Sequence, residues 1–151
     1  MLDDTDRRLL RQLQNAPDAT LSALAQLAGV SPQLATRRLD RLRASGVLRG
    51  QRAVIDWRAL GYAVEVSLRF TLDKGDPRAL DQFMDAARAV PEVTEIQTFL
   101  GRVDVRLNVV ARDLQDYHRL YRTRILTLPH IAECESLMQV ATLKRDERLP
   151  L

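Results

Sequence analysis

The chain has 151 residues, 46% hydrophobic and 28% charged: room for one ordinary domain or two small ones, and too apolar for a disordered segment. No apolar run approaches the roughly 20 residues that cross a bilayer, and the opening MLDDTDRR lacks the basic-then-apolar order of a secretory leader. Cys134 has no second cysteine to pair with, and only His118 and His130 accompany it, so the chain predicts no metal centre, no cofactor and a cytoplasmic setting.

The first predicted helix is capped by Asp3 or Asp4, carries Leu9, Leu10 and Leu13 on its apolar side and ends before Ala16-Pro17. Thr20 caps a short second helix with Leu21, Leu24, Ala25 and Ala28 turned inward. Gly29 then supplies a turn, since a positive φ costs glycine little. Ser31 is the N-cap of a third helix, and Pro32 takes its first position, where a missing N–H is no loss. This helix runs to about Ala44 and stops at Ser45-Gly46. Val47 to Ile55 reads as extended, interrupted by Gly50, and Gly61 marks the junction with a second module. The expected division is 1–50, a connecting strand or linker at 51–61, and 62–151.

The second module changes period. Val64, Val66, Leu68, Phe70 and Leu72 alternate with Glu65, Ser67, Arg69 and Thr71, the pattern of a strand with one buried face. Helical spacing follows Pro77, with Leu80, Phe83, Met84 and Ala87. Val93 to Leu100 and Val103 to Ala111 form a strand pair around Gly101. A second helix sets Leu114, Tyr117, Tyr121, Ile125 and Leu128 on one face before Pro129, and a last strand covers roughly Glu133 to Leu143. The order β-α-β-β-α-β predicts a ferredoxin-like α+β domain. Its second sheet face stays open, suited to a partner.

Charge separates the two modules. Residues 1–60 hold 10 Lys and Arg against 6 Asp and Glu, whereas residues 61–151 hold 13 against 14. Projected at about 100° per residue, Ala35, Leu39 and Leu42 of the third helix share a narrow apolar stripe. Gln33, Arg37, Asp40 and Ala44 lie opposite, flanked by Thr36 and Arg41. A helix that follows a glycine turn and exposes polar residues near its start has the geometry of a helix-turn-helix recognition helix. Gln33 can read adenine, Arg37 can grip guanine with two hydrogen bonds, and Thr36 can touch a base or a phosphate. Arg38, Arg41, Arg43, Arg49 and Arg52 are placed for the DNA backbone.

With those residues in view, the chain resembles the Lrp/AsnC family of feast/famine transcriptional regulators. The likeness runs through LDDTDRRLLRQLQ, LSALAQLAGVSPQLATRRLDRLRASGVLRG, LGYAVEVSLRFTL, FLGRVDVRLNVVARDLQDYHRL and ILTLPHIAECES. The family's S-P-x-x-x-x-x-R-hydrophobic-x-x-L falls on Ser31, Pro32, Arg38, Leu39 and Leu42. The resemblance implies a winged helix-turn-helix joined to a RAM-type (ACT-like) domain, and adds Ser31 to the DNA-binding set. It also implies homodimers that assemble to octamers or similar, a roughly palindromic double-stranded site and an amino-acid effector. The effector pocket it implies is bordered by Thr98, Leu100, Gly101, Arg102, Asp104, Cys134 and Ser136. Here GRVD replaces the family's G-D-x-D turn, so Arg102 stands where relatives place an acid. Asp104 alternates with Val103 and Val105 and also suits a plain solvated position; Gly101 also suits a plain turn.

An enzyme would need an activated nucleophile or a poised acid–base pair. No Ser-His-Asp spacing or phosphate-cradling glycine loop is visible, and His118 sits beside Tyr117 in a helix. The reading is therefore a sequence-specific regulator. The alternative is an architectural DNA-binding protein without a working effector site.

Overall fold

The computed structural model describes residues 2–144 and 148–151; of the segment expected at 62–151, positions 145–147 lie outside the described residues. Two compact units are present, one of residues 1–54 with 144–151 and one of residues 55–143.

The first unit holds α1 (Asp4–Asn15), α2 (Leu21–Ala28) and α3 (Pro32–Ala44). Each start is made by the residue before it. Asp3 and Asp6 form a reciprocal capping box on α1, Thr20 accepts from the Ala23 N–H, and Ser31 accepts from the Leu34 N–H. Gly29 closes α2 in the left-handed region, at φ +68°, and so turns the chain into α3. Leu9, Leu24, Ala25, Ala28, Ala35, Leu39 and Leu42 are the buried core of the unit. Leu21, expected inward, is exposed because the first turn after the Thr20 cap points it outward. From the far end of the chain, the Leu149 N–H donates to Gln14 at 2.7 Å and the Leu149 carbonyl accepts from the Gln14 amide at 3.3 Å.

The second unit is a four-stranded antiparallel sheet in the order β2-β3-β1-β4, from β1 (Val64–Leu72), β2 (Val93–Thr98), β3 (Val105–Ala111) and β4 (Ile131–Met138). Helices α4 (Ala79–Arg88) and α5 (Leu114–Leu120) complete it. Val66, Leu68, Phe70 and Leu72 of β1 are buried in one core with Val105, Leu107 and Val109 of β3 and Phe83 and Ala87 of α4. The other residues of β1 face away, and register pairs them into a polar surface. Arg69 stands opposite Arg106 and Glu135, and Ser67 opposite Asn108 and Leu137. Glu95 binds three neighbours there: Gln97 at 2.8 Å, Asn108 at 2.9 Å and Arg106 at 3.4 Å.

Three local expectations change. Residues 47–63 contain no strand, so the segment expected at 51–61 as a connecting strand or linker is not a strand here, and the extended 47–55 is not one either. Extended backbone becomes a strand only beside a ladder partner, and this segment has none among the described residues. The last strand stops at Met138 rather than Leu143 because Met138 already pairs with Val66 near the start of β1. Finally, α5 passes into a π-helical turn, Tyr121–Ile125. Leu120, Ile125 and Leu128 are buried, Tyr117 and Tyr121 pack partly buried against the same core, and Leu114, in the first turn of α5, is exposed.

A tight turn occupies Trp57 to Gly61, where the Trp57 carbonyl accepts from the Leu60 and Tyr62 N–H groups, each at 3.0 Å. Asp56 braces it by accepting from the Arg58 N–H at 3.0 Å.

Candidate nucleic-acid interface and ligand pocket

The outward row of α3 is open. Gln33, Thr36, Arg37 and Asp40 are exposed, opposite buried Ala35, Leu39 and Leu42. Arg37 makes no ion pair among the described residues, whereas Arg43 is held to Asp40 at 3.1 Å. The Thr36 hydroxyl donates to the Pro32 carbonyl at 3.0 Å, which leaves its lone pairs for a donor outside the helix. Ser31 is exposed but already spends a lone pair on its cap. Arg49 and Arg52 lie on exposed chain beyond the helix.

Arg38 and Arg41 do something else. Asp6 is fully buried, and its carboxylate meets Arg38 at 3.4 Å on one oxygen and Arg41 on the other. Arg38 also pairs with Asp3. Asp3 is thereby held below the usual carboxylate range, first by the Asp6 N–H and then by Arg38, and Arg38 is pushed up chiefly by its hydrogen bond to Asp3. A buried carboxylate must be paired, because desolvating it alone is prohibitive. Arg38 and Arg41, expected at the DNA backbone, are thus both engaged by carboxylates at the start of α1. Arg38 is a strut between α1 and α3, and Arg41 shares that duty through its contact with Asp6. Sequence reasoning missed the partner, Asp6, whose distance of more than 30 positions from both arginines hid the pairing.

In the second unit a cavity of about 390 Å³ opens between the β1–α4 connection, the start of α4 and the β2–β3 turn. That lies at the low end of the roughly 300–1,000 Å³ usual for small-molecule sites. Leu72, Leu80, Phe99 and Leu100 give it apolar walls, while Lys74, Asp76, Thr98 and Asp104 supply polar groups. Asp104 is the best-anchored of these. One carboxylate oxygen accepts from the Leu72 N–H at 2.8 Å and the other meets the Lys74 ammonium at 3.0 Å. The Leu72 N–H first and Lys74 second hold its carboxyl below the ordinary value.

A folded-state carboxyl held low stabilises fully above its unfolded pKa and loses that contribution as pH falls through the lowered folded value. The second unit is therefore expected to lose stability on acidification below the ordinary carboxylate range. Asp104→Asn should remove part of that loss, as read by thermal melts across pH. Identical acid limbs for wild type and variant would refute the assignment.

Thr98, Leu100 and Asp104 line this cavity; Gly101, Arg102, Cys134 and Ser136 do not. In the turn, the Arg102 carbonyl accepts from the Thr71 hydroxyl at 3.1 Å, and the Arg102 side chain is exposed. On β4, Cys134 and Ser136 stand opposite Phe70 and Leu68 and pack toward two tyrosines. The Tyr117 hydroxyl donates to Ser136 at 3.1 Å, and burial raises the Cys134 thiol pKa. Within one chain the seven residues thus form two groups. Sequence reasoning missed Lys74, Asp76, Leu80 and Phe99 in the wall; one signal existed, since Lys74 and Lys144 are the only lysines among 23 basic residues.

A helix-turn-helix unit with an exposed polar row and a ferredoxin-like unit with a cavity, in one chain, define a ligand-binding transcriptional regulator. Residues 2–49 match the winged helix-turn-helix DNA-binding family and residues 65–149 the Lrp/AsnC ligand binding domain. The chain belongs to the Lrp/AsnC family of transcriptional regulators. It is 26% identical to the transcriptional regulator AzlB of Bacillus subtilis, across 100% of this chain and 96% of that one. Among solved structures, an AsnC family transcriptional regulator from Agrobacterium tumefaciens superposes with a TM-score of 0.90 at 28% identity, covering 99% and 97% of the two chains. A feast or famine regulatory protein from M. tuberculosis, complexed with L-methionine, gives 0.86 at 29% identity over 99% of each chain. No helix among the described residues is long and apolar enough to cross a membrane.

Proposed function

We propose that this regulator binds a roughly palindromic double-stranded DNA site as a homodimer, further assembled to an octamer or similar. In this reading an amino acid controls its binding. The observation that carries the DNA reading is the exposed row Gln33, Thr36 and Arg37 on a helix whose opposite side is packed and whose flank is clamped by Asp6. Two such helices, related by a two-fold axis, meet half-sites one or more helical turns apart. The polar sheet face with Glu65, Ser67 and Arg69 is the surface assigned to the partner subunit. Arg49 and Arg52 are assigned to phosphates. The effector is assigned to the cavity beside Asp104, in keeping with the methionine complex of the mycobacterial relative. The cytoplasm is where such a protein meets its DNA.

The test is fluorescence anisotropy on a promoter fragment with excess bulk competitor DNA, with and without amino acids. Arg37→Ala should weaken specific binding by about 1–3 kcal/mol and relax preference at one base pair. Arg49→Ala should weaken all sequences alike and flatten the salt dependence. Unchanged specific affinity in the Arg37 variant removes that residue as a reader. Binding that ignores both sequence and amino acids would instead support the architectural alternative.

A further inference from the structure

Asp104 offers the cavity an acceptor whose partners are already in place: the Leu72 N–H on one oxygen and the Lys74 ammonium on the other. The two partners differ in kind. The Leu72 N–H is backbone and cannot leave. The Lys74 side chain is 71% exposed, while that of Asp104 is only 15% exposed. The Lys74–Asp104 pair therefore has one fixed pole and one movable pole, and both line the same cavity. Among the described residues no other cation lines it.

A free amino acid carries two opposite charges on neighbouring atoms of its backbone. Inserted between the two poles, it exchanges one ion pair for two, ammonium on Asp104 and carboxylate on Lys74, with no net charge left unpaired. Its side chain then meets Leu72, Leu80, Phe99 and Leu100. Resting on the effector reading above, we infer that Lys74 is a specificity-determining residue of this cavity: its ammonium moves off Asp104 to receive the effector's carboxylate. Arg102 and Arg78 lie outside the lining and do not have this position; Arg78 pairs instead with Asp76 at 3.9 Å. The closed pair also excludes the wrong ligands. An amine without a carboxylate must displace Lys74 and leave it unpaired, and a carboxylate without an amine must draw Lys74 from Asp104 with nothing to replace it there. Only the zwitterion satisfies both poles.

The experiment uses the full chain and three sets of probes: the twenty standard L-amino acids, their α-amides, and the matching acids without the amino group. Thermal shift selects the best amino acid, and calorimetry then compares it with its two analogues on wild type, Lys74→Met, Lys74→Arg and Asp104→Asn. Wild type should prefer the amino acid over both analogues. Lys74→Met should weaken the amino acid roughly tenfold to a hundredfold, the effect of losing a charge-assisted hydrogen bond, and should strengthen the amide, which no longer has a lysine to displace from Asp104. Lys74→Arg should restore most of the affinity. Unliganded melting temperatures of the Lys74 variants should stay near wild type, because the side chain is exposed. If Lys74→Met binds the amino acid as tightly as wild type or more tightly, Lys74 is a bystander or a competitor and the inference is wrong, while the effector reading stands. If no amino acid binds wild type or any variant, the effector reading fails and this inference fails with it.

Discussion

Asp6→Ala is expected to destabilise the first unit by about 3 kcal/mol, near the lower end of what breaking a buried ion pair costs. The carboxylate is fully buried and serves Arg38, Arg41 and the Asp3 N–H together. The lower end is appropriate because neither arginine is left buried without recourse. Arg38 retains Asp3, and the Arg41 side chain is 53% exposed. A three-helix unit of about 50 residues has only a few kcal/mol in reserve, so this loss is a large share of the total. Urea melts followed by helical circular dichroism should show the transition of this unit at much lower denaturant, and DNA affinity should fall for every sequence. Asp3→Ala should be milder, since Asp3 is half exposed. A melt unchanged by Asp6→Ala would mean that α3 is held by its apolar stripe alone.

The other large effect is in the second unit. Phe83 is fully buried, with its ring centroid 5.0 Å from that of Phe70 and the planes at 57°. Phe83→Ala removes an aromatic anchor between α4 and β1, and should cost about 3–5 kcal/mol. The same helix brings Ala79 and Leu80 to the cavity, so loosening it also loosens a wall of the ligand site. The variant should melt earlier and respond less to amino acids than its residual stability explains. Phe83→Leu, which refills most of the volume, should recover much of both. If stability falls and ligand response does not, the cavity is shaped by the β2–β3 turn rather than by α4.

The legible parts of this protein are those whose cause is local. The three helices of the first unit start at Asp3, Thr20 and Ser31 because a cap acts within three residues, and α2 ends at Gly29 because its backbone enters the left-handed region. Alternation likewise exposes β1 from Val64 to Leu72. What sequence leaves open depends on partners far along the chain. Arg38 looks like one more basic residue on a basic helix until α1 packs beside it and presents Asp6. Asp104 alternates with valines as a solvated residue would, yet folding delivers it to the Leu72 N–H, 32 positions away. The cavity joins segments from β1, α4 and the β2–β3 turn, so no single run of sequence carries its outline. Leu120 shows a subtler failure: helical spacing passes over it, yet it is buried just before the π-helical turn, beside a partly buried Tyr121.

The turn at Trp57 to Gly61 has a practical use. Trp57 is the only tryptophan in the chain, 37% exposed, and its carbonyl anchors the turn that leads into β1. A solitary indole there makes intrinsic emission a dye-free optical gauge of this one bend. It is blind to fraying of the three helices and to repacking around Phe83, except as these alter the bend itself. Rapid mixing with DNA, or with an amino acid, can then clock when the bend rearranges, separately from any signal carried by a labelled oligonucleotide.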